Sequence, residues 1–343
     1  MTLTSMSLIS VDNMTRNNGL IKSERGRLDP VSGQRPMTPT AEGALAALDI
    51  FVAGWACSDQ DALTTVFADS SVLHSSAHGE ARGARDITAL FSADFDPAMP
   101  LDIVTTNHFV GGDDERAVLT SYLYGFTPQT EPAPSTFGAT LVADLVRTES
   151  GWQFEVLRLS IPWIDGDEAR FAKWSIPSPE GWKIGDATPS IVSELDSPWA
   201  RGIPDLDPHD AVRQVADFYS RYSWAIDQGD ITLLHGCFTE DVFGAFPPMG
   251  DLQGRHEVIG QMKSFRRLWP WMQHFGRPLQ ITVDEARNTA HLVVGRIIPQ
   301  RPATPNGQDL YGAHYQLDLR REDDTWKISR FEYIPGWITA TER

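Results

Sequence analysis

The chain has 343 residues, of which 41% are hydrophobic, so it is long enough for about two domains with ordinary cores. Its 29 Lys and Arg residues are outnumbered by 46 Asp and Glu residues, which gives a net charge of −17. This charge argues against nucleic acids and anionic membranes as partners. Two cysteines are too few for a disulfide framework or a four-thiolate zinc site.

Residues 1–40 are rich in Ser, Thr, Asn, Gly and Pro and have no sustained apolar period, which predicts a mobile N-terminal arm. Their first stretch lacks the basic and apolar regions of a signal peptide. No apolar run approaches the length of about 18 residues that a membrane-spanning helix needs. We therefore expect a cytoplasmic protein with no membrane span.

An internal repeat organises the rest of the chain. Trp152 and Trp163 recur as Trp326 and Trp337, in each case 174 positions later. The stretch GARDI at 83–87 has a counterpart, GRHEV, at 254–258. Several matches in the same order predict one domain used twice, over residues 41–165 and 208–343. The Pro- and Gly-containing stretch 166–207 is predicted to be a linker with one short helix.

The second copy has three helical patterns followed by alternating ones. Asp207 is a suitable N-cap, Pro208 a suitable first helical residue, and Gly229 a suitable helix end. A short helix and a third helix over 255–269 follow. Strands are predicted at 278–284, 290–298, 311–321 and 325–334. This order predicts an α+β fold, with a curved, mostly antiparallel sheet wrapped round the helices as a cone-shaped barrel in each of two tandem domains.

Four side chains of the second copy could carry chemistry. Asp227 ends the first helix, and His274 follows the third. A carboxylate beside an imidazole forms a general-base pair. A Tyr or an Arg can stabilise negative charge on oxygen, and Tyr222 and Arg330 are the candidates for this role. The spacing alone does not bring Asp227 and His274 together. The alternatives are a core Tyr222, a backbone-bonded Asp227, a structural His274 and a surface-paired Arg330.

Aromatic residues surround these positions in the sequence and suggest a pocket for an aromatic or polycyclic substrate, although ordinary core packing explains any one of them. The candidates for substrate binding are Trp224, Phe265, Trp269, Trp271 and Tyr315. No phosphate-binding glycine loop or dinucleotide motif is present, so no cofactor is expected. His74 and His78 lack a third ligand, so no metal is expected either.

The second copy resembles the SnoaL-like branch of the nuclear transport factor 2-like superfamily along essentially its whole length. Within that branch it is similar to bile acid 7α-dehydratase, scytalone dehydratase and hexachlorocyclohexane dehydrochlorinase. The matching residues are Tyr222, Asp227, Gly229–Asp230, Phe238–Val242, Gly254–Arg255, His274–Phe275 and Trp326–Arg330.

This resemblance implies a cofactor-independent lyase that performs a dehydratase-like elimination on a hydrophobic aromatic or polycyclic hydroxy compound. His274 would be the base, Asp227 its orienter, Tyr222 the ligand of the leaving group and Arg330 the stabiliser of negative charge. A cofactor-free C–C lyase (deformylation), an isomerase or a cyclase would use the same fold. A non-catalytic ligand-binding or assembly module is the remaining alternative.

The first copy departs from the pattern at each of these positions. Phe51, Ala56 and Val156 stand where the second copy has Tyr222, Asp227 and Arg330, and residues 100–103 contain no histidine. We expect this copy to be chemically silent, and to supply a pseudo-dimer surface or a wall of the second pocket. Assembly of the chain into a homo-oligomer remains open at this stage.

Overall fold

A computed structural model describes residues 37–340, apart from residues 98, 100, 128–133, 175 and 177–180. Most of the predicted N-terminal arm, residues 1–36, lies outside the described residues. The first domain consists of α1 (Pro39–Ala56), α2 (Gln60–Val66), β1 (Phe67–Ser75), β2 (Gly79–Arg82), α3 (Ala84–Ser92), β3 (Asp102–Gly112), β4 (Arg116–Phe126), β5 (Thr136–Thr148) and β6 (Gly151–Asp165).

The second domain repeats this order of elements, as the internal repeat predicts. It consists of α4 (Ala211–Asp227), α5 (Ile231–Gly236), β7 (Phe238–Ala245), β8 (Asp251–Gln253), α6 (Arg255–Arg266), β9 (Gly276–Asp284), β10 (Thr289–Ile297), β11 (Leu310–Glu322) and β12 (Thr325–Thr339).

Each domain has one mixed sheet of six strands. The strand order is β2-β1-β6-β5-β4-β3 in the first sheet and β8-β7-β12-β11-β10-β9 in the second. β1 runs parallel to β6, and β7 parallel to β12, whereas the other neighbours are antiparallel. The tandem α+β fold is confirmed. Within the described residues, each sheet curves round its helices but stays open at its edges, so neither is a closed barrel.

Helix α4 begins three residues later than the sequence suggests. The N-cap is Asp210, whose carboxylate accepts a hydrogen bond from the Arg213 amide at 3.0 Å. Asp207 instead closes a turn, because its carbonyl accepts a hydrogen bond from the Asp210 amide at 3.2 Å. Two Asp residues three positions apart are both good caps, and the one followed by the apolar face is used.

The core of the first domain is aromatic and contains one buried carboxylate. Trp55 is fully buried and its indole donates to Asp94 at 2.7 Å. Trp174 of the linker donates to the same carboxylate at 3.1 Å, and His78 contacts it at 2.8 Å. His78 is thus held by a buried acceptor, as a buried polar group must be.

The two domains pack against each other through their sheets. Nearly every residue of β4 is buried, because one face covers its own helices and the other faces the second domain. The interdomain cluster joins side chains of both domains, namely Val104, Tyr122, Tyr124, Phe126, Val142 and Trp163 with Trp224, Phe275, Ile297 and Tyr311. The tandem domains therefore pair within one chain.

The described residues of the linker contact both domains. They include two short 3₁₀ turns, Glu168–Phe171 and Glu194–Asp196, where one short helix was predicted. Phe171 and Trp174 join the core of the first domain. Trp199 packs on Trp224, with 5.6 Å between ring centroids. Across the part of the chain that the structure covers, none of the helices combines the length and hydropathy needed to cross a bilayer.

His108 is a half-buried histidine on β3 in this arrangement. Burial and the nearby Arg277 charge lower the pKa of His108 from 6.5 to about 4. Its Nε2 has no hydrogen-bond partner among the described residues. The unfolded chain accepts a proton near pH 6.5, which the folded protein resists, so this destabilisation is absent at higher pH and grows as the pH falls towards 4.

We predict that His108→Gln relieves this cost. The difference in the free energy of unfolding, variant minus wild type, should be larger by about 2 kcal/mol at about pH 5 than at about pH 8, so the variant gains stability at the lower pH. Urea titrations at both pH values measure this difference, and any loss of packing cancels in it. His209→Gln changes an exposed side chain and is the matched control. An equal effect of His108→Gln at both pH values would contradict the prediction.

Candidate active site

Asp227 and His274 form a buried hydrogen-bonded pair in the second domain. The Nδ1 atom of His274 lies 2.6 Å from Oδ1 of Asp227, and the His274 amide donates to Oδ2 at 2.5 Å. The Asp227 side chain is 1% exposed and the His274 side chain 10% exposed. Within the described residues, Nε2 of His274 makes no hydrogen bond, so this nitrogen is available to a ligand.

Arg266, at the end of α6, fixes the loop that carries His274. It is buried, and its guanidinium donates to four backbone carbonyls, those of Asp227 (3.2 Å), Trp269 (2.8 Å), Pro270 (3.0 Å) and Met272 (2.8 Å). One side chain therefore ties the end of α4 to the loop after α6. This link explains how two residues 47 positions apart are held in contact.

Arg296 of β10 contacts the backbone on both sides of His274. It donates to the carbonyl of Gln273 at 2.5 Å and to that of Phe275 at 2.9 Å. The carbonyl of His274 itself accepts a hydrogen bond from the Tyr219 hydroxyl at 3.3 Å. The backbone on both sides of the imidazole is thus fixed by charged or polar side chains.

The protonation of the pair follows from its surroundings. Burial lowers the pKa of His274 and the charges of Arg296 and Arg266 lower it further, against the opposite effect of Asp227. Burial alone would raise the pKa of Asp227, but the charges of His274 and Arg266 outweigh it and hold that pKa below its usual range. The resting pair is therefore an ionised carboxylate beside a neutral imidazole at neutral pH.

Tyr222 and Tyr315 lie on the same side of the domain as the imidazole. The Tyr222 ring is 6.4 Å from the His274 ring, in an edge-to-face arrangement. Tyr315 packs on Phe331 at 5.3 Å, and Tyr222 packs on Phe331 at 6.1 Å. Burial raises the pKa of Tyr222 well above its usual value, so its hydroxyl stays protonated and can donate a hydrogen bond.

Two family comparisons agree with this architecture. Residues 45–164 and residues 209–332 each match a SnoaL-like domain. The chain is a tandem of two SnoaL-like domains. No curated protein matches the chain.

Solved structures of similar fold cover just over a third of the chain. A candidate aromatic ring hydroxylase from Novosphingobium aromaticivorans is 20% identical, with 40% of this chain and 99% of that one covered and a TM-score of 0.34. A candidate scytalone dehydratase from the same species is 10% identical (36% and 85% covered, TM-score 0.32). Hexachlorocyclohexane dehydrochlorinase LinA-type3 from Novosphingobium barchaimii is 12% identical (37% and 88% covered, TM-score 0.33).

Arg330 of the second SnoaL-like domain does not lie with the pair, contrary to the role that the sequence resemblance implies. Its side chain pairs with Asp318 at 3.5 Å and with Glu332, on the outer face of β12. The register of β12 shifts between Ile328 and Arg330, so that Ile328 and Phe331 both point inward. This β-bulge turns Arg330 outward, because strict alternation from Ile328 would have pointed it inward.

The five aromatic candidates fall into three places. Tyr315 lies in the core beside Tyr222, whereas Trp224 belongs to the interdomain cluster. Trp271 packs against that cluster, 6.3 Å from Trp163 of the first SnoaL-like domain. Phe265 and Trp269 pack on each other at 4.6 Å and are half-buried beside α6.

Two cavities of the described residues lie away from the pair. One, of about 440 Å³, is in the first SnoaL-like domain and is lined by residues that include Asp94, Phe95 and Phe171. The other, of about 340 Å³, lies between the linker and the first sheet. Neither reaches Asp227 or His274.

Sequence reasoning missed three residues of the site, Arg266, Arg296 and Tyr219. Arg296 gave a usable signal, because it is a single charge within the apolar run LVVGRII of a predicted strand. A charge in such a strand is expected to be paired or functional. Arg266 gave none, since basic residues are common near the end of a helix.

Proposed function

We propose that the second SnoaL-like domain is a cofactor-free acid–base enzyme of lyase or isomerase type, with His274 as its base. The observation that supports this proposal is the buried 2.6 Å contact between Asp227 and Nδ1, together with the unbonded Nε2 on the other side of the ring. A purely structural histidine in a core would be expected to have both nitrogens satisfied.

The pair would work by proton abstraction. Asp227 accepts the Nδ1 hydrogen, which leaves the lone pair on Nε2 and selects the tautomer that a base requires. Nε2 then removes a proton from carbon next to an electron-withdrawing group. The imidazolium formed in this step is stabilised by the Asp227 carboxylate, which stays ionised throughout.

The negative charge that develops on the substrate also needs a partner. Tyr222 supplies a protonated hydroxyl on a ring 6.4 Å from the imidazole, and Arg296, which donates to the carbonyls of the residues on both sides of His274, supplies a cation in place of Arg330. In an elimination, the C–H electrons form the new double bond while the C–O bond breaks. The leaving hydroxide takes a proton from Tyr222 and departs as water.

The finer proposal is a dehydratase acting on an aromatic or polycyclic hydroxy compound. It is supported by the aromatic rings near the pair: Tyr222 contacts the imidazole and Phe331, and Tyr315 packs on Phe331, so two phenol hydroxyls and an apolar ring lie on this side of the domain. Isomerisation and C–C cleavage start with the same proton transfer and differ only in the bond that follows. The product therefore distinguishes them.

The test is to incubate the purified protein with aromatic and polycyclic β-hydroxy ketones and to follow their masses. We expect a product that has lost one water. A product of unchanged mass with a moved double bond would replace the dehydratase by an isomerase, and loss of formate would replace it by a C–C lyase. Saturable binding without turnover of any compound would overturn the enzyme proposal in favour of a binding module.

A further inference from the structure

We propose that the first SnoaL-like domain is part of the active site of the second, with Asn107 as a positioning residue for His274. This inference rests on the proposed function and deepens it. It assigns a role to a domain that lacks every predicted catalytic residue.

Asn107 holds the backbone on both sides of Phe275. Its Nδ2 donates to the carbonyl of His274 at 3.0 Å, and its Oδ1 accepts from the amide of Gly276 at 3.1 Å. Asn107 lies on β3 and is buried, so both bonds cross the domain interface out of water. A primary amide is suited to this task, because it offers one donor and one acceptor to a single peptide segment.

The backbone of Asn107 is unusual for the middle of a strand. Its φ is +54°, in the left-handed region, and the pairing of β3 with β4 shifts register between Thr106 and Phe109. The Thr106 hydroxyl donates to Oδ1 of Asn107 at 2.7 Å and fixes the orientation of the amide. A bulge with left-handed backbone re-aims one side chain at a cost in stability, which indicates that the direction of this side chain is used.

Tyr122 of β4 is a second residue of the first SnoaL-like domain near the pair, on the side of Asp227. Its side chain is buried. Burial raises the pKa of Tyr122 well above its usual value, and the charge of Asp227 raises it further. The first SnoaL-like domain thus contacts the backbone of His274 and places a protonated phenol beside the carboxylate of Asp227.

The position of His274 depends on this contact. His274 contacts Asp227 through both its imidazole ring and its backbone amide, so a movement of the His274–Gly276 backbone lengthens both hydrogen bonds. Loosening the segment also admits water to the ring. The longer contact with Asp227 acts to lower the pKa of His274, but burial is the largest cause of its lowered value, so the loss of burial prevails and that pKa should rise towards about 6.5.

The test variant is Asn107→Gly, because glycine keeps the left-handed backbone without strain and removes only the amide. Asn288→Gly is the matched control, since Asn288 has a φ of +53° and is exposed in the hairpin between β9 and β10.

NMR titration of the histidine rings in the intact protein, with His274→Gln to assign the signal, measures the pKa without any substrate. Asn107→Gly should raise the pKa of His274, and Asn288→Gly should leave it unchanged. On any substrate that is turned over, kcat of Asn107→Gly should fall about 10- to 100-fold. The acid limb of its pH–rate profile should move to higher pH.

A lower melting temperature of Asn107→Gly with an unchanged His274 pKa would show a structural role only and overturn the inference. The two proposals fail separately. If no compound is turned over, the NMR titration still decides the role of Asn107. If His274→Gln abolishes turnover while Asn107→Gly changes neither the pKa nor kcat, the function stands and this inference is wrong.

Discussion

Replacing His274 by Gln is expected to lower kcat by about 10³-fold or more, because glutamine keeps a hydrogen bond to Asp227 but cannot accept a proton. Asp227→Asn should lower kcat by about 10²- to 10⁴-fold. The amide would donate to Nδ1 and so select the tautomer that carries its hydrogen on Nε2, the wrong atom for a base. KM should change much less than kcat in both variants, since neither residue supplies most of the binding surface.

The chain offers a matched control for these variants. His291 and Asp318 form another Asp–His pair of the second SnoaL-like domain, with 2.7 Å between Nδ1 and Oδ1, but their side chains are 37% and 41% exposed on the outside of the sheet. His291→Gln should leave kcat unchanged. Steady-state kinetics on the compound that loses water would measure all three variants. Equal losses in His291→Gln and His274→Gln would contradict the assignment of the base.

The pH dependence provides a second readout of the same variants. Because burial and the two arginines lower the pKa of His274, the acid limb of kcat/KM in the wild type should lie below pH 6.5. Above it the imidazole is neutral and the base is competent. An acid limb at or above pH 7 would contradict a neutral, buried base. The residual activity of His274→Gln should lack this limb.

The repeat and the order of elements were predictable because they depend on local patterns. Apolar periodicity and two tryptophans at a constant offset established two similar domains without any knowledge of their contacts. The order of strands in each sheet required the structure, since β6 joins β1 only through residues distant in sequence. The proximity of Asp227 and His274 came from the family resemblance, and their spacing alone did not indicate it.

Two kinds of error have physical causes. Arg330 was assigned to the site by the family resemblance, which carries no information on the bulge that turns this side chain to the outer face of β12. Trp224 was assigned to substrate binding because it lies near the candidate site in the sequence, yet the structure places it between the domains. Periodicity identifies the buried face of a helix but not the element that covers it. Asn107 could not have been found, since its contacts join residues 167 and 169 positions apart across an interface.

The largest effect on stability is expected at Trp55. Trp55→Ala should lower the free energy of unfolding by about 3–5 kcal/mol, because it removes a fully buried ring that contacts Phe91 and Phe95 and leaves a cavity. The change also takes one of the donors from the buried Asp94 carboxylate. A loss of this size is a large fraction of the stability of an ordinary domain.

Two further variants separate the packing of Trp55 from its hydrogen bond. Trp55→Phe keeps most of the ring and loses the donor, and should cost about 1–3 kcal/mol. Trp337→Ala removes a ring that is 46% exposed, and should cost less than about 1 kcal/mol. Urea unfolding followed by circular dichroism measures all three. If Trp55→Phe were as damaging as Trp55→Ala, the carboxylate of Asp94, and not the aromatic packing, would determine the stability of the first SnoaL-like domain.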